Sequence, residues 1–219
     1  MVAPDASPIR FVALGDSYTI GTAVDSASSW PSQLVAALAA PGGSGTRLAL
    51  VGNLGVDGYT SGELIRDQLP KLDRLQPQFV SLLVGVNDVV RGIPVTVYAA
   101  NLRRIFAMLL AWLPRDRIVT VAIPDYTVTP RGAEFGDASQ LSREIAAFNA
   151  VIADQSSDLG IRHVDIVDLS LRAAADRSLV AADGLHPSGA QYRLWVERIA
   201  PVVIALLASG QAEISEPRA

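Results

Sequence analysis

The feature that most constrains the fold is the regular alternation of short apolar runs with longer amphipathic segments. Five runs rich in Val, Ile, Leu or Phe predict strands over residues 10–14, 48–52, 79–84, 118–123 and 163–167. Most of these runs lack polar alternation, which is typical of a parallel sheet covered on both faces. Helical patterns follow the strands over residues 30–40, 61–69, 95–113, 141–159 and 190–207. The order predicts an α/β fold, a three-layer α/β/α sandwich around a five-stranded parallel sheet.

The length and composition favour one domain. Half of the 219 residues are apolar, enough to bury a sizeable core. Since no repeat or linker interrupts the pattern, we expect a single domain over residues 1–219. Residues 40–47 are expected to form a loop between a helix and a strand, and residues 209–219 a flexible tail.

Charge and hydropathy exclude several function classes. A net charge of -4 offers no basic face for a phosphate backbone, so nucleic acid is not an expected partner. No segment approaches the roughly 18 apolar residues of a membrane span, and residues 1–10 lack the apolar stretch of a signal peptide. We therefore expect a soluble cytoplasmic protein without integral membrane association, although a signal removed beforehand would leave no trace. The absence of cysteine excludes disulfides and thiolate metal sites.

Gly, Asp, Asn and His residues collect in the loops that follow the predicted strands. These loops read GDSY at residues 15–18, NLGVDGYTSG at 53–62, GVND at 85–88, a long loop at 124–137, and DGLHPSG at 183–189. The carboxyl ends of parallel strands meet at one rim, where open α/β sheets bind ligands. Taken alone, each motif is most simply a turn, a helix cap or a glycine with positive φ. Their collection on one rim indicates a functional site.

The chain has two histidines, and only one is placed for chemistry. His163 lies at the start of the predicted fifth strand, at the opposite rim, and is expected to be structural or solvent-exposed. His186 lies in a polar loop three residues after Asp183. A turn of that length lets the carboxylate fold back on Nδ1, which would fix the tautomer and leave Nε2 free to accept a proton.

Ser17 could be a nucleophile if such a base serves it, because a serine hydroxyl is unreactive at neutral pH. The oxyanion formed by attack on an acyl carbon needs hydrogen-bond donors. The backbone N–H groups of Ser17 and Gly58 and the side-chain amide of Asn87 come from successive loops and could supply them.

The motifs GDSY, NLGVDGYT, GVND and DGLHP resemble, in order, the four sequence blocks of the SGNH (GDSL) hydrolases. The resemblance spans nearly the whole chain, and its D-x-x-H-P block makes it specific. It implies a flavodoxin-like sheet of order 2-1-3-4-5. It also implies roles for five residues: nucleophile for Ser17, oxyanion donors for Gly58 and Asn87, and the rest of the triad for Asp183 and His186. Lysophospholipase-type and small esterase members look most similar.

Residues beside these motifs are candidates for supporting roles. Asp16 is expected to bond to backbone near the nucleophile. The candidate substrate-binding side chains are Tyr18, Val86, Tyr126 and Leu185. Tyr18 stands where the family name has leucine, and Val86 where many members have glycine or threonine. The loop at residues 124–137 is a candidate wall or lid of the pocket. All three tryptophans, Trp30, Trp112 and Trp195, are predicted in the core.

Two other enzyme classes fit the sequence poorly. An ordinary α/β-hydrolase elbow reads G-x-S-x-G, but Thr19 occupies the position of its second glycine. A two-metal phosphoesterase draws on several histidines, but this chain has two, and His163 lies at the opposite rim.

The favoured hypothesis is a serine hydrolase that acts through an acyl-enzyme on a small carboxylic ester and needs no metal or organic cofactor. An acyltransferase or thioesterase using the same site, and a non-catalytic binding module of the same fold, stay open.

Overall fold

The sheet has the predicted order of strands. The computed structural model describes residues 7–40 and 47–212, with side chains through residue 208. A parallel five-stranded sheet has the order β2-β1-β3-β4-β5, which confirms the flavodoxin-like topology. The strands are β1 Ile9–Gly15, β2 Leu48–Asn53, β3 Phe79–Leu83, β4 Ile118–Val121 and β5 Arg162–Val164.

The helices cover the sheet from both sides. They are α1 Ser17–Ile20, α2 Trp30–Ala39, α3 Ser61–Asp67, α4 Leu72–Leu75, α5 Val86–Val90, α6 Val95–Leu110, α7 Ala138–Asp158, α8 Val167–Leu171 and α9 Gly189–Ala212. Helix α2 packs against α9, while α6 packs against α3 and α7. Right-handed crossovers place these two groups on opposite faces. The chain leaves β1 and β3 on opposite sides of the sheet, which opens a crevice at their carboxyl ends.

Strand β3 ends one residue earlier than predicted, and β4 and β5 end two and three residues earlier, where side chains bind the backbone. The Asn149 side-chain amide pairs with the backbone N–H and carbonyl of Ile123, at 2.8 and 2.9 Å, in place of a neighbouring strand. After β5, the Asp165 carboxylate accepts the N–H of Val167, the first residue of α8, at 2.8 Å. Residues 122–123 and 165–167 are therefore not strand.

The core contains two of the three tryptophans. Trp30 and Trp195 are fully buried, but Trp112 is 50% exposed, so its predicted core position is wrong. Helix α6 ends at Leu110, and the turn that follows buries Leu113 instead. Among the described residues, no helix combines the length and apolarity needed to span a membrane.

The predicted flexible tail, residues 209–219, overlaps the end of helix α9. Helix α9 continues to Ala212, so residues 209–212 are helical, and residues 213–219 lie outside the described residues. Residues 41–46 of the predicted loop at 40–47 also lie outside them.

The end of β1 passes β3 so closely that residue 15 has no room for a side chain. A Cβ on Gly15 would stand 2.2 Å from both the Leu83 carbonyl oxygen and the Thr19 hydroxyl oxygen. The buried Gln68 side chain accepts the Gly15 N–H at 3.0 Å and donates to its carbonyl at 2.7 Å. Both backbone groups of this last strand residue are thus paired inside the core, which fixes where the next loop begins.

Replacing Gln68 by alanine should destabilise the protein, because it takes the Gln68 partner from both buried Gly15 backbone groups, of which the carbonyl keeps a long bond from the Val56 N–H at 3.4 Å. A buried group that loses its partner costs about 1 to 3 kcal/mol. The matched control is Gln78→Ala, since the Gln78 side chain accepts the Arg10 N–H of the same strand at 3.0 Å but is exposed to water. Urea unfolding should show a large loss for Gln68→Ala and a change within about 0.5 kcal/mol for Gln78→Ala. Equal losses would contradict the role of burial.

Candidate active site

Ser17 is presented by a capped turn directly after β1. It is the first residue of α1 and is nearly buried. Asp16 is the N-cap, and its Oδ1 accepts the Tyr18 N–H at 3.0 Å. The Ser17 N–H, at the start of the helix, makes no hydrogen bond within the described parts of the chain. Residue 17 therefore carries a hydroxyl and a free N–H at the crevice.

The Asp16 carboxyl is held in an unusual environment. It is fully buried, and its Oδ2 has no hydrogen-bond partner among the described residues. Burial is the main cause that raises its pKa to about 8, with a further contribution from the negative charge of Asp88. At neutral pH this carboxyl is therefore largely protonated and uncharged.

Asp183 and His186 form a close pair in the loop before α9. Asp183 Oδ2 lies 2.5 Å from His186 Nδ1, and its Oδ1 accepts the N–H groups of Leu185 and His186 at 3.0 Å each. Burial alone would raise the pKa of Asp183, but the hydrogen bonds from His186 and the two amides outweigh it and lower the pKa. The ionised Asp183 carboxylate thus holds the His186 imidazole through its Nδ1.

The imidazole and the serine face one cavity. Ser17 and His186 both line it, and the Tyr18 ring packs against the imidazole with 5.1 Å between centroids. Within the described chain there is no direct hydrogen bond between Ser17 and His186. Such bonds between nucleophile and base are often long in unliganded sites and tighten when substrate binds.

Two further polar groups reach the cavity from the loops after β2 and β3. Gly58 has φ +76 in a turn closed by the Tyr59 N–H on the Val56 carbonyl at 3.2 Å, and its own N–H has no partner in the described residues. The Asn87 amide donates to the Tyr59 carbonyl at 3.0 Å. An amide nitrogen carries two hydrogens, so a second one is available for a ligand.

The cavity measures about 170 Å³ and has mostly apolar walls. Its lining comprises Ser17, Tyr18, Asp57, Gly58, Val86, Asn87, Val90, Tyr126, Phe135, Leu185 and His186. All four candidate substrate-binding residues are among them. Asp57, Val90 and Phe135 were not predicted. Phe135 lies in the long fourth loop, the candidate wall, and packs edge-on against Tyr126 with 5.4 Å between ring centroids. Asp57 directly precedes Gly58 in the rim loop at residues 53–62, so both residues had a sequence signal, whereas Val90 had none.

The fourth loop is tied to its surroundings at both ends. The buried Asp125 carboxylate accepts the Thr127 N–H at 2.9 Å and the Ser142 hydroxyl of α7 at 2.5 Å. Near the other end, the Arg131 N–H donates to the Gly184 carbonyl at 3.0 Å, inside the loop that carries Asp183. These bonds hold Tyr126 and Phe135 over the cavity as a wall.

His163 lies away from this site. It is half-buried within β5, and its Nδ1 is 2.9 Å from the Thr120 hydroxyl. Burial lowers the pKa of its imidazole. Across the described ranges, no group of three or more His, Cys, Asp or Glu residues could hold a metal ion.

The comparison that decides the family covers most of the chain. A family model described as GDSL-like lipase/acylhydrolase matches residues 13–194, a span that begins in β1 and ends in α9. The chain belongs to this GDSL-like family. The span includes all four motifs on which the resemblance was based.

Individual relatives agree with this assignment. An arylesterase of Vibrio mimicus is 32% identical over 129 residues, which are 58% of this chain and 60% of the relative, so the match covers less than two thirds of that protein. The esterase EstA of a Pseudoalteromonas species superposes with a TM-score of 0.68 at 20% identity, over 91% of this chain and 98% of EstA. The acetylxylan esterase Axe2 of Geobacillus stearothermophilus gives 0.68 at 18%, over 89% and 94%. Because the two structures are only 20% and 18% identical to this chain, they support the assignment of the fold alone.

The buried Asp16 carboxyl should make the stability fall as the pH rises. Between its ordinary pKa of 3.8 and about 8 the folded protein holds a proton that the unfolded chain has lost. Raising the pH through this window therefore favours unfolding, by at most about 1.4 kcal/mol per pH unit for one group. In Asp16→Asn this contribution is absent, so the stability of the variant relative to wild type should increase from pH 5 to pH 8.

Urea unfolding at several pH values measures this difference. The matched control is Asp176→Asn, because exposed Asp176 accepts the Ser178 N–H two residues ahead at 3.0 Å, as Asp16 accepts that of Tyr18. The pKa of Asp176 is lowered by its bond from the Ser178 hydroxyl, so the control should show a constant difference above pH 5. A constant difference for Asp16→Asn as well would show that Asp16 is ionised in the folded protein.

Proposed function

We propose that the protein is a serine ester hydrolase that forms an acyl-enzyme on Ser17. The observation that carries the proposal is the 2.5 Å pair of Asp183 and His186, whose imidazole shares a cavity with the Ser17 hydroxyl. The free N–H groups of Ser17 and Gly58 and the amide of Asn87 support the same chemistry, because Ser17, Gly58 and Asn87 all line this cavity.

In the first half of the reaction, the Ser17 hydroxyl oxygen attacks the ester carbonyl carbon while His186 Nε2 takes its proton. Asp183 keeps Nδ1 protonated and stabilises the imidazolium that forms. The carbonyl electron pair moves onto oxygen, and the resulting oxyanion accepts hydrogen bonds from Ser17, Gly58 and Asn87. Collapse of the tetrahedral intermediate breaks the bond to the alcohol oxygen, which receives the proton from His186.

The second half repeats these steps with water. His186 removes a proton from a water molecule as it attacks the acyl carbon, and the oxyanion returns to the same donors. The Ser17 oxygen then leaves and regains a proton from His186, which releases the carboxylic acid. All the protons in this cycle are carried by His186.

The cavity favours a small apolar group on the ester. Six apolar side chains line it, and Asp57 is a charged exception, bonded to the Thr22 hydroxyl. A cavity of about 150 Å³ holds one benzene molecule. A cavity of about 170 Å³ therefore accommodates an acyl or aryl group of similar size. Similarity to the Vibrio mimicus arylesterase supports esters of this kind.

Hydrolysis of p-nitrophenyl esters from acetate to palmitate tests the proposal. Wild type should turn over the short esters, and kcat/KM should stop increasing once the acyl chain fills the cavity. Ser17→Ala should lose turnover while keeping its thermal stability, because the hydroxyl contributes chemistry and little packing. A fluorophosphonate probe should label wild type and leave Ser17→Ala unlabelled.

The control for specificity of labelling is Ser139→Ala, which removes an exposed serine hydroxyl bonded to Asp137 at 2.6 Å, and should label like wild type. Folded wild type that neither hydrolyses esters nor reacts with the probe would contradict the hydrolase and favour a binding module. Transfer of the acyl group to an added alcohol in preference to water would indicate an acyltransferase.

Substitutions at Asn87 test the oxyanion donor. Asn87→Ala should raise the barrier by about 2.7 to 4 kcal/mol, with kcat reduced more than KM, because the donor acts on a charge that exists only in the transition state. Asn87→Asp should lose more, since its carboxylate has no hydrogen to donate and repels the oxyanion. Steady-state kinetics on p-nitrophenyl acetate measures both variants. A change confined to KM would mean that Asn87 binds the ester in its ground state.

A further inference from the structure

Helix α5 holds the loop that carries Gly58 through a series of side-chain bonds. The Asn87 amide donates to the Tyr59 carbonyl at 3.0 Å. The buried Asp88 carboxylate accepts the Ser61 N–H at 2.8 Å and the Ser61 hydroxyl at 2.5 Å. The loop after β2 is therefore docked on the first turn of α5, beside the cavity.

Arg91, at the C-terminal end of α5, adds a side-chain bond to Gly58 itself. Its Nη2 donates to the Gly58 carbonyl at 2.6 Å. Its Nη1 lies 3.3 Å from each carboxylate oxygen of Glu63. Glu63 is fixed in turn, because it accepts the N–H and hydroxyl of Thr60 in the capping box of α3. The guanidinium is thus held between a fixed carboxylate and the Gly58 backbone.

Gly58 depends on such contacts because it has no side chain with which to pack. Its neighbour Asp57 is exposed, and Gly58 is itself only half-buried. The Gly58 N–H must nevertheless stand at a defined distance from the Asn87 amide if both are to reach one oxyanion. Asn87 lies in α5, and Arg91 is the residue that directly follows this helix, with its backbone N–H on the Asn87 carbonyl at 3.0 Å. A bond from the Arg91 side chain to Gly58 therefore links the two donors through one short, hydrogen-bonded segment.

We propose that Arg91 is a positioning residue for the oxyanion site. By holding the Gly58 carbonyl, it keeps the Gly58 N–H at the distance from the Asn87 amide that lets both donors reach one oxyanion. This inference rests on the proposed serine hydrolase function. Arg91 does not line the cavity, so its effect on the reaction passes through Gly58. Its side chain is 50% exposed, and a surface ion pair of this kind contributes little to stability.

The test compares Arg91→Ala with Arg91→Lys. Loss of the guanidinium should lower kcat about 10-fold or more while KM changes less than about twofold, because a small displacement of a donor is felt mainly in the transition state. Lysine can still donate to the Gly58 carbonyl but cannot reach Glu63 at the same time in the same fork geometry, so Arg91→Lys should recover part of kcat. Added guanidinium ion at millimolar concentration should also raise the kcat of Arg91→Ala.

The matched control is Arg198→Ala. Arg198 also joins a carboxylate, that of Asp168, to a backbone carbonyl, that of Asp165 at 3.1 Å, on α9 and away from the cavity. This variant should keep the wild-type kcat and should not respond to guanidinium. Thermal unfolding establishes that each variant is folded. If Arg91→Ala does not fold, Arg91→Met, which keeps the apolar stem, replaces it in the comparison.

A folded Arg91→Ala or Arg91→Met variant with wild-type kcat, or with a change in KM alone, would overturn the positioning role. The same holds if Arg198→Ala loses as much kcat. These results are distinct from failure of the hydrolase itself, which would appear as wild type without turnover or fluorophosphonate labelling. The rate of labelling gives an independent measure, since the phosphonyl oxygen occupies the oxyanion position: it should fall in Arg91→Ala and recover in part in Arg91→Lys.

Discussion

The close passage of β1 beside β3 at Gly15 is the constraint on which the rest of the site depends. The absence of a side chain there lets the end of β1 lie against the Leu83 carbonyl and turn at once into α1. Ser17 consequently emerges next to the carboxyl end of β3, where α5 begins with Asn87 in its first turn. Because the buried Gln68 pairs with both backbone groups of Gly15, the core of the protein fixes where this turn begins, and the Asp16 cap then starts α1.

Two carboxyl groups near the serine are given opposite charge states by their surroundings. Asp16 is buried under the turn with one oxygen unpartnered, and burial favours its neutral form. Asp183 accepts two backbone N–H groups and the imidazole, which favour its ionised form. The negative charge therefore lies next to His186 Nδ1, where the proposed mechanism needs it to stabilise an imidazolium.

The parts of the structure that could be predicted from sequence are those with a local signal. The five strands are apolar runs, and the rule that parallel strands share a carboxyl rim brought together the loops of Ser17, Gly58, Asn87 and His186. The closeness of Asp183 to His186 follows from their spacing of three residues within a turn. These features need no knowledge of distant contacts.

The parts that could not be predicted depend on tertiary bonds. Helix α5 has five residues, too few to show a helical period, so the alignment of Arg91 with Asn87 was not visible. Helix α8 begins at Val167, whose N–H donates to the Asp165 carboxylate, although the apolar run there favours a strand. Phe135 and Val90 reach the cavity from segments with little periodicity of their own, and the position of Trp112 depends on where α6 ends.

The attachment of the fourth loop has a consequence for how substrate range can change. Tyr126 and Phe135 lie on a segment joined to the rest by the Asp125 bond to Ser142 and the Arg131 bond to Gly184. None of the groups assigned to bond making or breaking lies on that segment. One part of the cavity wall is thus encoded in a stretch of the chain separate from the proposed catalytic groups, whereas Tyr18, Val86 and Leu185 line the cavity directly beside those groups. Substitutions in the fourth loop can therefore reshape the wall without replacing a residue assigned to the reaction.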